Sequence, residues 1–380
     1  MEMLVMKRWI LAVGLTLIVL GTVACGRSTA HVAVPKAAPT AMVPSTSYGR
    51  DSTQRQRLVR FTQAKMVRKQ GVYTNYRDTQ QRQASAATGH EMLSESSGMW
   101  LLYLAEAHRW RDFREFYGVT KRTFYKDGQF SYRYDPRSGK RYGVNATLDD
   151  LRIIRALLAY DQLRGTHHYR RTAATLYAHL RTGALGKGEV TNYYDPAAKS
   201  GTRTGSLAYF DLQVLRYYSR ENATTRRQYA RQLRVVKGGY LGDAFPLYAV
   251  DYNWQTGKYG HQNLNTTEAM ETLLHLAQVG QLRATTRRWL VQRVNRGDLA
   301  LSYSTAGEVV NAGQSAGSYA VCAQIFRVLH DREHYQAAMR RVWADQVTKP
   351  QSPLFGGIGD ATTQDAFSYN NLAALVAAFQ

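Results

Sequence analysis

Ala146-Thr147-Leu148-Asp149-Asp150-Leu151-Arg152-Ile153-Ile154-Arg155-Ala156-Leu157-Leu158 is the stretch that decides the fold. Leu151, Ile153, Ile154, Leu157 and Leu158 recur at helical spacing and make one apolar stripe, with Arg152, Arg155 and Asp161 off it. Thr147 followed three residues later by Asp150 reads as a helix start, Thr147 as the N-cap and Asp150 closing a capping box. That pattern accounts for Asp150 and leaves Asp149 spare. The helix therefore begins with two carboxylates where a loop meets an apolar segment.

Outward from this helix the same periodicity returns. Apolar residues recur at helical spacing in about twelve segments, roughly 53–70, 91–107, 110–123, 147–162, 167–182, 206–219, 222–235, 264–278, 281–294, 315–329, 332–346 and 368–379. They fall into consecutive pairs joined alternately by short and long links, which predicts helical hairpins. The longer links resemble one another: DPRSGKRYG (135–143), DPAAKSGTRTG (195–205) and DYNWQTGKYG (251–260) each run from an Asp into a Gly-containing turn before a helix. Tyr132 and Tyr134, Tyr193 and Tyr194, and Tyr248 lie upstream, partly at strand spacing, so short β-hairpins are expected at one end. Six hairpins closing into a ring would make an all-α (α/α)6 barrel over residues 50–380; an open helical solenoid is the other arrangement.

Ahead of the barrel, residues 1–25 read as a lipoprotein signal peptide. Lys7 and Arg8 precede an apolar run from Trp9 to Leu20, and Thr22-Val23-Ala24-Cys25 resembles a lipobox. The run is shorter than the roughly 20 residues of a membrane span. Cys25 would thus carry a lipid anchor on the extracellular face of a bacterial membrane. Residues 26–49, rich in Ala, Thr and Ser and punctuated by Pro35, Pro39 and Pro44, read as a flexible tether. With Cys25 modified only Cys322 remains, among apolar helix positions, so it is read as a buried inert thiol and no intramolecular disulfide is expected.

The formal charge of +22 favours anionic surroundings: a membrane surface, a wall polymer or an acidic polysaccharide. No nucleic-acid-binding motif accompanies it, and export argues against a nucleic-acid partner. His167 and His168 point to different helix faces, and neither a His-x-x-x-His nor a Cys-x-x-Cys pair occurs, so no metal or other cofactor is expected.

Three acidic stations carry the chemistry: Glu95 in LSESSG, the Asp149/Asp150 pair, and Asp243 in GYLGDAFPLY, with Asp211 and Asp251 as rival bases. Two facing carboxylates, one protonated and one ionised, are what glycosidic-bond hydrolysis needs. A helix N-terminus depresses a carboxyl pKa, so Glu95 can donate a proton at neutral pH only if burial or a neighbouring carboxylate raises it again. Aromatic residues beside these acids supply faces for sugar rings: Trp100, Tyr134, Tyr194, Tyr209, Tyr248 and Trp254 are the candidates.

These residues resemble glycoside hydrolase family 8, the cellulase, xylanase and chitosanase family, most closely its lipoprotein branch linked to bacterial exopolysaccharide. In that family a Ser-Glu-Gly motif carries the general acid, which maps onto Ser94-Glu95. An Ala-Ser/Thr-Asp-Ala/Gly-Asp motif maps onto Ala146 to Asp150, and an Asp-Ala-x-Arg motif with the water-activating base maps onto Asp243 to Pro246. FGGIGDATTQDAFSYNNLAAL is similar to the family's closing segment. The chain departs from the pattern at Ser96, Leu148 and Pro246. The resemblance implies an (α/α)6 barrel, an inverting mechanism and no metal.

The expected function is a monomeric, surface-anchored endo-glycosidase acting on a secreted polysaccharide. Glu95 would protonate the leaving oxygen, Asp243 would activate water, and Asp150 or Asp149 would hold the sugar. A polysaccharide lyase acting on an acidic polymer, and a non-catalytic glycan-binding lipoprotein, are the competing expectations.

Overall fold

The computed structural model describes residues 33–36, 41–45, 48, 52–84 and 86–378, all within one compact unit. The expected signal peptide, with Cys25, lies outside the described residues. Among those described are twelve α-helices: α1 (Thr53–Phe61), α2 (Ser94–Glu106), α3 (Trp110–Phe124), α4 (Thr147–Arg164), α5 (Arg170–Arg181), α6 (Leu212–Tyr218), α7 (Ala223–Gly238), α8 (Thr266–Gln278), α9 (Ala284–Arg296), α10 (Ala316–Val328), α11 (Arg332–Ala344) and α12 (Ser368–Ala378). None is long and apolar enough to cross a membrane.

The even-numbered helices form a closed inner ring in the order α2, α4, α6, α8, α10, α12 and back to α2, and the odd-numbered helices pack outside it. The solenoid alternative is thereby excluded, because α12 packs against α2 and α1 as well as α10. Inner helices are buried on nearly every side: in α4 even Arg155 and Asp161 are enclosed, and α12 is buried from Asn371 to Ala378. Outer helices such as α3 and α7 bury a single face.

The twelve predicted segments agree with these helices, with one informative exception. In the sixth, Thr204–Ser206 is a strand and Leu207–Tyr209 a 3-10 turn, and α6 begins only after Asp211, whose carboxylate accepts from the Val214 N–H as the N-cap. The capping box expected at Thr147 and Asp150 is not formed. Ala146 occupies the N-cap position, Thr147 Oγ1 donates to the Asn192 carbonyl, and the Asp150 carboxylate is used elsewhere.

The long links form the expected hairpins. Arg133–Asp135 pairs with Lys140–Arg141, Tyr194–Asp195 with Ser200–Gly201, and Asp251–Asn253 with Lys258–Tyr259. In each turn one side chain accepts backbone N–H groups two or three residues on: Asp135 from Arg137, Asp195 from Ala197 and Ala198, Asn253 from Gln255 and Thr256. The third turn is thus centred on Asn253, and Asp251 is left outside it.

Part of the segment read as a tether lies on the barrel. Met42 and Val43 are buried in the core, the Met42 N–H donates to Gln162 Oε1 at 2.5 Å, and Gln213 donates to the Ala41 carbonyl. Composition marked this stretch as coil; two adjacent apolar side chains and two bonded backbone groups hold it on the barrel.

Candidate active site

The N-termini of the inner helices converge on one mouth of the barrel. Ser94 Oγ at the start of α2 donates to Asp149 Oδ2 of α4 at 2.9 Å, Thr267 of α8 bonds Ser318 of α10, and Ser315 Oγ reaches Asn370 of α12. Gly98 lets α2 and α4 approach: a Cβ there would stand 3.1 Å from Arg152 Cβ.

Arg152, one turn into α4, is the hub. Its guanidinium meets Glu95 Oε2 at 3.3 Å, Asp149 Oδ1 at 3.5 Å and Glu271 Oε1 at 2.8 Å, and the Tyr369 hydroxyl donates to Glu271 Oε1 at 2.6 Å. One cation therefore serves three carboxylates in a largely enclosed space, and protons must make up the shortfall. Burial raises the Glu95 pKa; Arg152 opposes this, and the Glu271 charge adds to it. Asp149 is pushed up to about 8 by burial and by the charge of Glu95. Burial works in the same sense on Glu271, but Arg152 and His275 outweigh it and hold that carboxylate below its usual range. Glu271 stays ionised, and the proton resides on the Glu95 and Asp149 side.

Beside this cluster a cleft of about 730 Å³ runs over the N-termini of α4 and α8, and its lining includes Tyr132, Asn192, Tyr193, Tyr209, Asp251 and Glu268. Its wall at Ala84 is fastened by Arg133 and Glu91, a pair with no solvent exposure, Arg133 also donating to the Gln83 and Ala84 carbonyls. A second groove of about 400 Å³, with Asp345, Asp360, Asp365 and Phe367 in its lining, lies at the N-termini of α10 and α12.

Glu95 and Asp149 thus stand where the sequence placed them, in contact through Arg152. Asp150 does not face the cleft. It is 2 % exposed and its two oxygens accept from the Phe130 N–H at 2.9 Å and Asn145 Nδ2 at 2.8 Å. Burial pushes its pKa up to about 7, with both donors pulling back.

Asp243 is corrected too: it is exposed, its Oδ1 accepts from the Tyr240 hydroxyl at 2.6 Å, and it is absent from the lining of the cleft. A turn carboxylate tied to a nearby side chain is what its Gly-rich setting produces. Of the rival bases, Asp211 is locked by Arg155 deep in the barrel, while Asp251 lines the cleft.

Tyr209 is the one proposed aromatic on the cleft. Trp100 is 3 % exposed and packs against Tyr103 in the core; Tyr248 is 3 % exposed beside Tyr240. The Trp254 indole N–H donates to the Val190 carbonyl under Arg231. The Tyr134 hydroxyl accepts from Gln70, and Tyr194 packs over Gly183. The cleft instead takes Tyr132 and Tyr193. In the Tyr193-Tyr194 pair, adjacent side chains point to opposite faces, so pairing register decides which one meets solvent.

Sequence reasoning missed Arg152, Glu268, Glu271 and Tyr369. A signal existed for the two glutamates: Asn265 followed by Glu268 and Glu271 marks a helix start whose acids share one face. Cys322 is fully buried against Met270, its thiol pushed up to about 12, as the sequence indicated.

No family model matches the chain. It is 24% identical over 291 residues to the Bacillus subtilis (strain 168) protein named "Putative lipoprotein YdaJ", covering 75% of this chain and 78% of that protein. Among solved structures, an alpha-amylase from Clostridium perfringens superposes with a TM-score of 0.79 at 26% identity, over 88% of this chain and 99% of that one. The Klebsiella pneumoniae endoglucanase Cel10, a family 8 glycosyl hydrolase, superposes with a TM-score of 0.60 at 15% identity, over 84% and 97%. The closed ring of six inner and six outer helices, with its acids at the inner N-termini, is the (α/α)6 fold of glycoside hydrolase family 8.

Proposed function

We propose that the protein is an inverting glycoside hydrolase that cuts an uncharged polysaccharide, with Glu95 as the proton donor. The observation that carries this reading is the Glu95, Asp149, Glu271 and Arg152 cluster at the inner-helix N-termini, in which Glu95 is half-buried with a raised pKa. In the reaction Glu95 gives its proton to the glycosidic oxygen as the bond to the anomeric carbon breaks. Asp149, held by Ser94 and Arg152, fixes the charge around Glu95 and keeps its proton in place.

The lining charges bear on the substrate. In a chain of net charge +22, the acidic residues of the cleft are Asp195, Asp251 and Glu268 and those of the groove Asp345, Asp360 and Asp365, and among the described residues neither is lined by Lys, Arg or His. A polymer dense in carboxylates would meet like charge there. This disfavours a lyase acting on an acidic polymer. The structural neighbours named as an alpha-amylase and an endoglucanase support a neutral glucan as the first substrate to test. Anchoring through Cys25 to the outer face of the membrane is part of the proposal, supported by the lipobox-like sequence and by the name of the Bacillus relative.

The test is release of reducing ends from amylose, a soluble β-1,4-glucan, xylan and the producing organism's own exopolysaccharide. Wild-type protein should cut one of these, and Glu95→Gln should lower kcat by about 10²–10⁴-fold with an unchanged melting curve. Turnover retained by Glu95→Gln would remove Glu95 as the acid; tight glycan binding with no new ends from wild type would favour a non-catalytic glycan-binding protein.

A further inference from the structure

Because the inner helices start at the mouth, the short links from α4 to α5, α8 to α9 and α10 to α11 lie at the far end of the barrel. The chain ahead of α1 is laid across that end. Arg170, the first residue of α5, donates to the Pro35 and Lys36 carbonyls, and the Met42 N–H bonds Gln162 in the last turn of α4. Tyr48 then packs on Tyr335 in the first turn of α11, with ring centroids 5.3 Å apart, and the Tyr335 hydroxyl donates to the Ala377 carbonyl at the close of α12.

Cations collect at the same end. Lys36, Arg164, Arg171, Arg283, Arg288 and Arg332 are all exposed, and among the described residues none of them is paired with a carboxylate. Neither α5 nor α9 has an acid in its first turn, yet Arg171 stands in the one and Arg283 at the N-cap of the other. A cation at a helix start opposes the helix dipole, so helix stability does not account for them. The mouth has the reverse character, its cleft lined by Asp195, Asp251 and Glu268.

We infer that the far end rests on an anionic lipid surface, so that the anchored protein holds its mouth away from the membrane. This orientation rests on the anchoring at Cys25 proposed above. Chain length selects a lipid surface over a wall polymer. Cys25 precedes Ala33 by eight residues, which reach at most about 29 Å. Helix α4 has 18 residues and is about 27 Å long. With the far end down, residues 33–36 lie beside the bilayer and the link needs no stretching. With the mouth down, the same link must be drawn out to nearly its full length. Charge acts in the same direction, since anionic headgroups attract the arginines of the far end and repel the acids of the cleft.

The test reconstitutes the full lipoprotein, purified from membranes, on vesicles of phosphatidylcholine with or without phosphatidylglycerol. Cys322 is fully buried, so a single introduced thiol takes the fluorophore. His167→Cys places it in the link from α4 to α5, and Val309→Cys on the hairpin before α10, both exposed positions. A nitroxide on the lipid headgroup should quench the label at 167 several-fold more than the label at 309 when phosphatidylglycerol is present. Arg171→Glu combined with Arg332→Glu should shrink that contrast, as should high salt. The double variant should melt no lower than wild type, because acids suit helix starts.

Equal quenching of the two labels, or stronger quenching at 309, would overturn the proposal and leave the basic end to a soluble polyanion of the wall. A contrast as large on phosphatidylcholine alone, or one untouched by the charge reversal, would overturn the anionic partner. In each case the anchoring stands, whereas a mature chain whose mass carries no acyl group removes the anchoring and this orientation together. None of these readouts needs a cleaved polymer, so the hydrolase reading is tested apart from them.

Discussion

At the scale of the residue, the site turns on how one guanidinium is divided among acids. Arg152 binds Glu271 more closely than Glu95, 2.8 Å against 3.3 Å, so Glu271 takes most of the cation and leaves Glu95 to burial and to like charge. Glu271→Gln should therefore change Glu95 without touching it. Loss of the Glu271 charge and release of Arg152 both favour ionised Glu95 and lower its pKa. Since the donor must be protonated, activity falls as pH rises through that pKa, and the alkaline limb of the kcat/KM profile should move to lower pH in the variant. Tyr369→Phe, which removes a hydrogen bond from Glu271 and no charge, should leave the limb nearly in place. An alkaline limb that stays put in Glu271→Gln would show that Glu95 does not set it. Glu95 was legible in the sequence because it stands beside a recognisable helix start. Arg152 was not, because a position off the apolar stripe of α4 does not say what the side chain faces. In an inner helix of a ring the second face looks onto the barrel axis, and α4 is buried on both.

At the scale of the element, the hairpins and the inner helix starts hold each other in register through a few side chains. Asp150 ties the N-terminus of α4 to the Phe130 backbone and to Asn145, and Asn145 Oδ1 in turn accepts the Tyr194 N–H at 2.8 Å. Asn145 is thus unable to turn its amide over. Asp150→Asn must present an NH2 to one of two N–H donors, leaving a buried donor unpaired at a cost of about 1–3 kcal/mol. The urea midpoint should drop accordingly, and kcat should fall because Asn145 and Tyr193 line the cleft. An unchanged midpoint would mean that Asp150 is not the tie described. Twelve helical segments and the three hairpin links were legible because period and turn chemistry are local. The cleft tyrosines and the turn centred on Asn253 were not, since register is set by a pairing partner distant in sequence, such as Thr204 opposite Asn253.

At the scale of the whole molecule, closure of the ring makes the site. Arg152 and Glu271 are 119 residues apart in sequence, Glu271 and Tyr369 a further 98, and no local pattern announces that they meet. Charge is also uneven: in a chain of +22 the cleft is lined by Asp195, Asp251 and Glu268 and, among the described residues, by no Lys, Arg or His. A carboxylated polymer should therefore be drawn to the basic exterior yet be repelled at the point of cutting, and salt should relieve both effects. With the Debye length near 30 Å at 0.01 M and about 3 Å at 1 M, the ratio of kcat/KM on a neutral polymer to that on its carboxymethylated form should be largest at low salt and shrink as salt is added. The carboxymethylated polymer should also inhibit hydrolysis of the neutral one at low salt, since binding outside the cleft sequesters the protein without turnover. Faster cutting of the carboxylated polymer at low salt would mean that the acids of the mouth do not face the substrate, and the placement of the sugar chain in this cleft would fall with it.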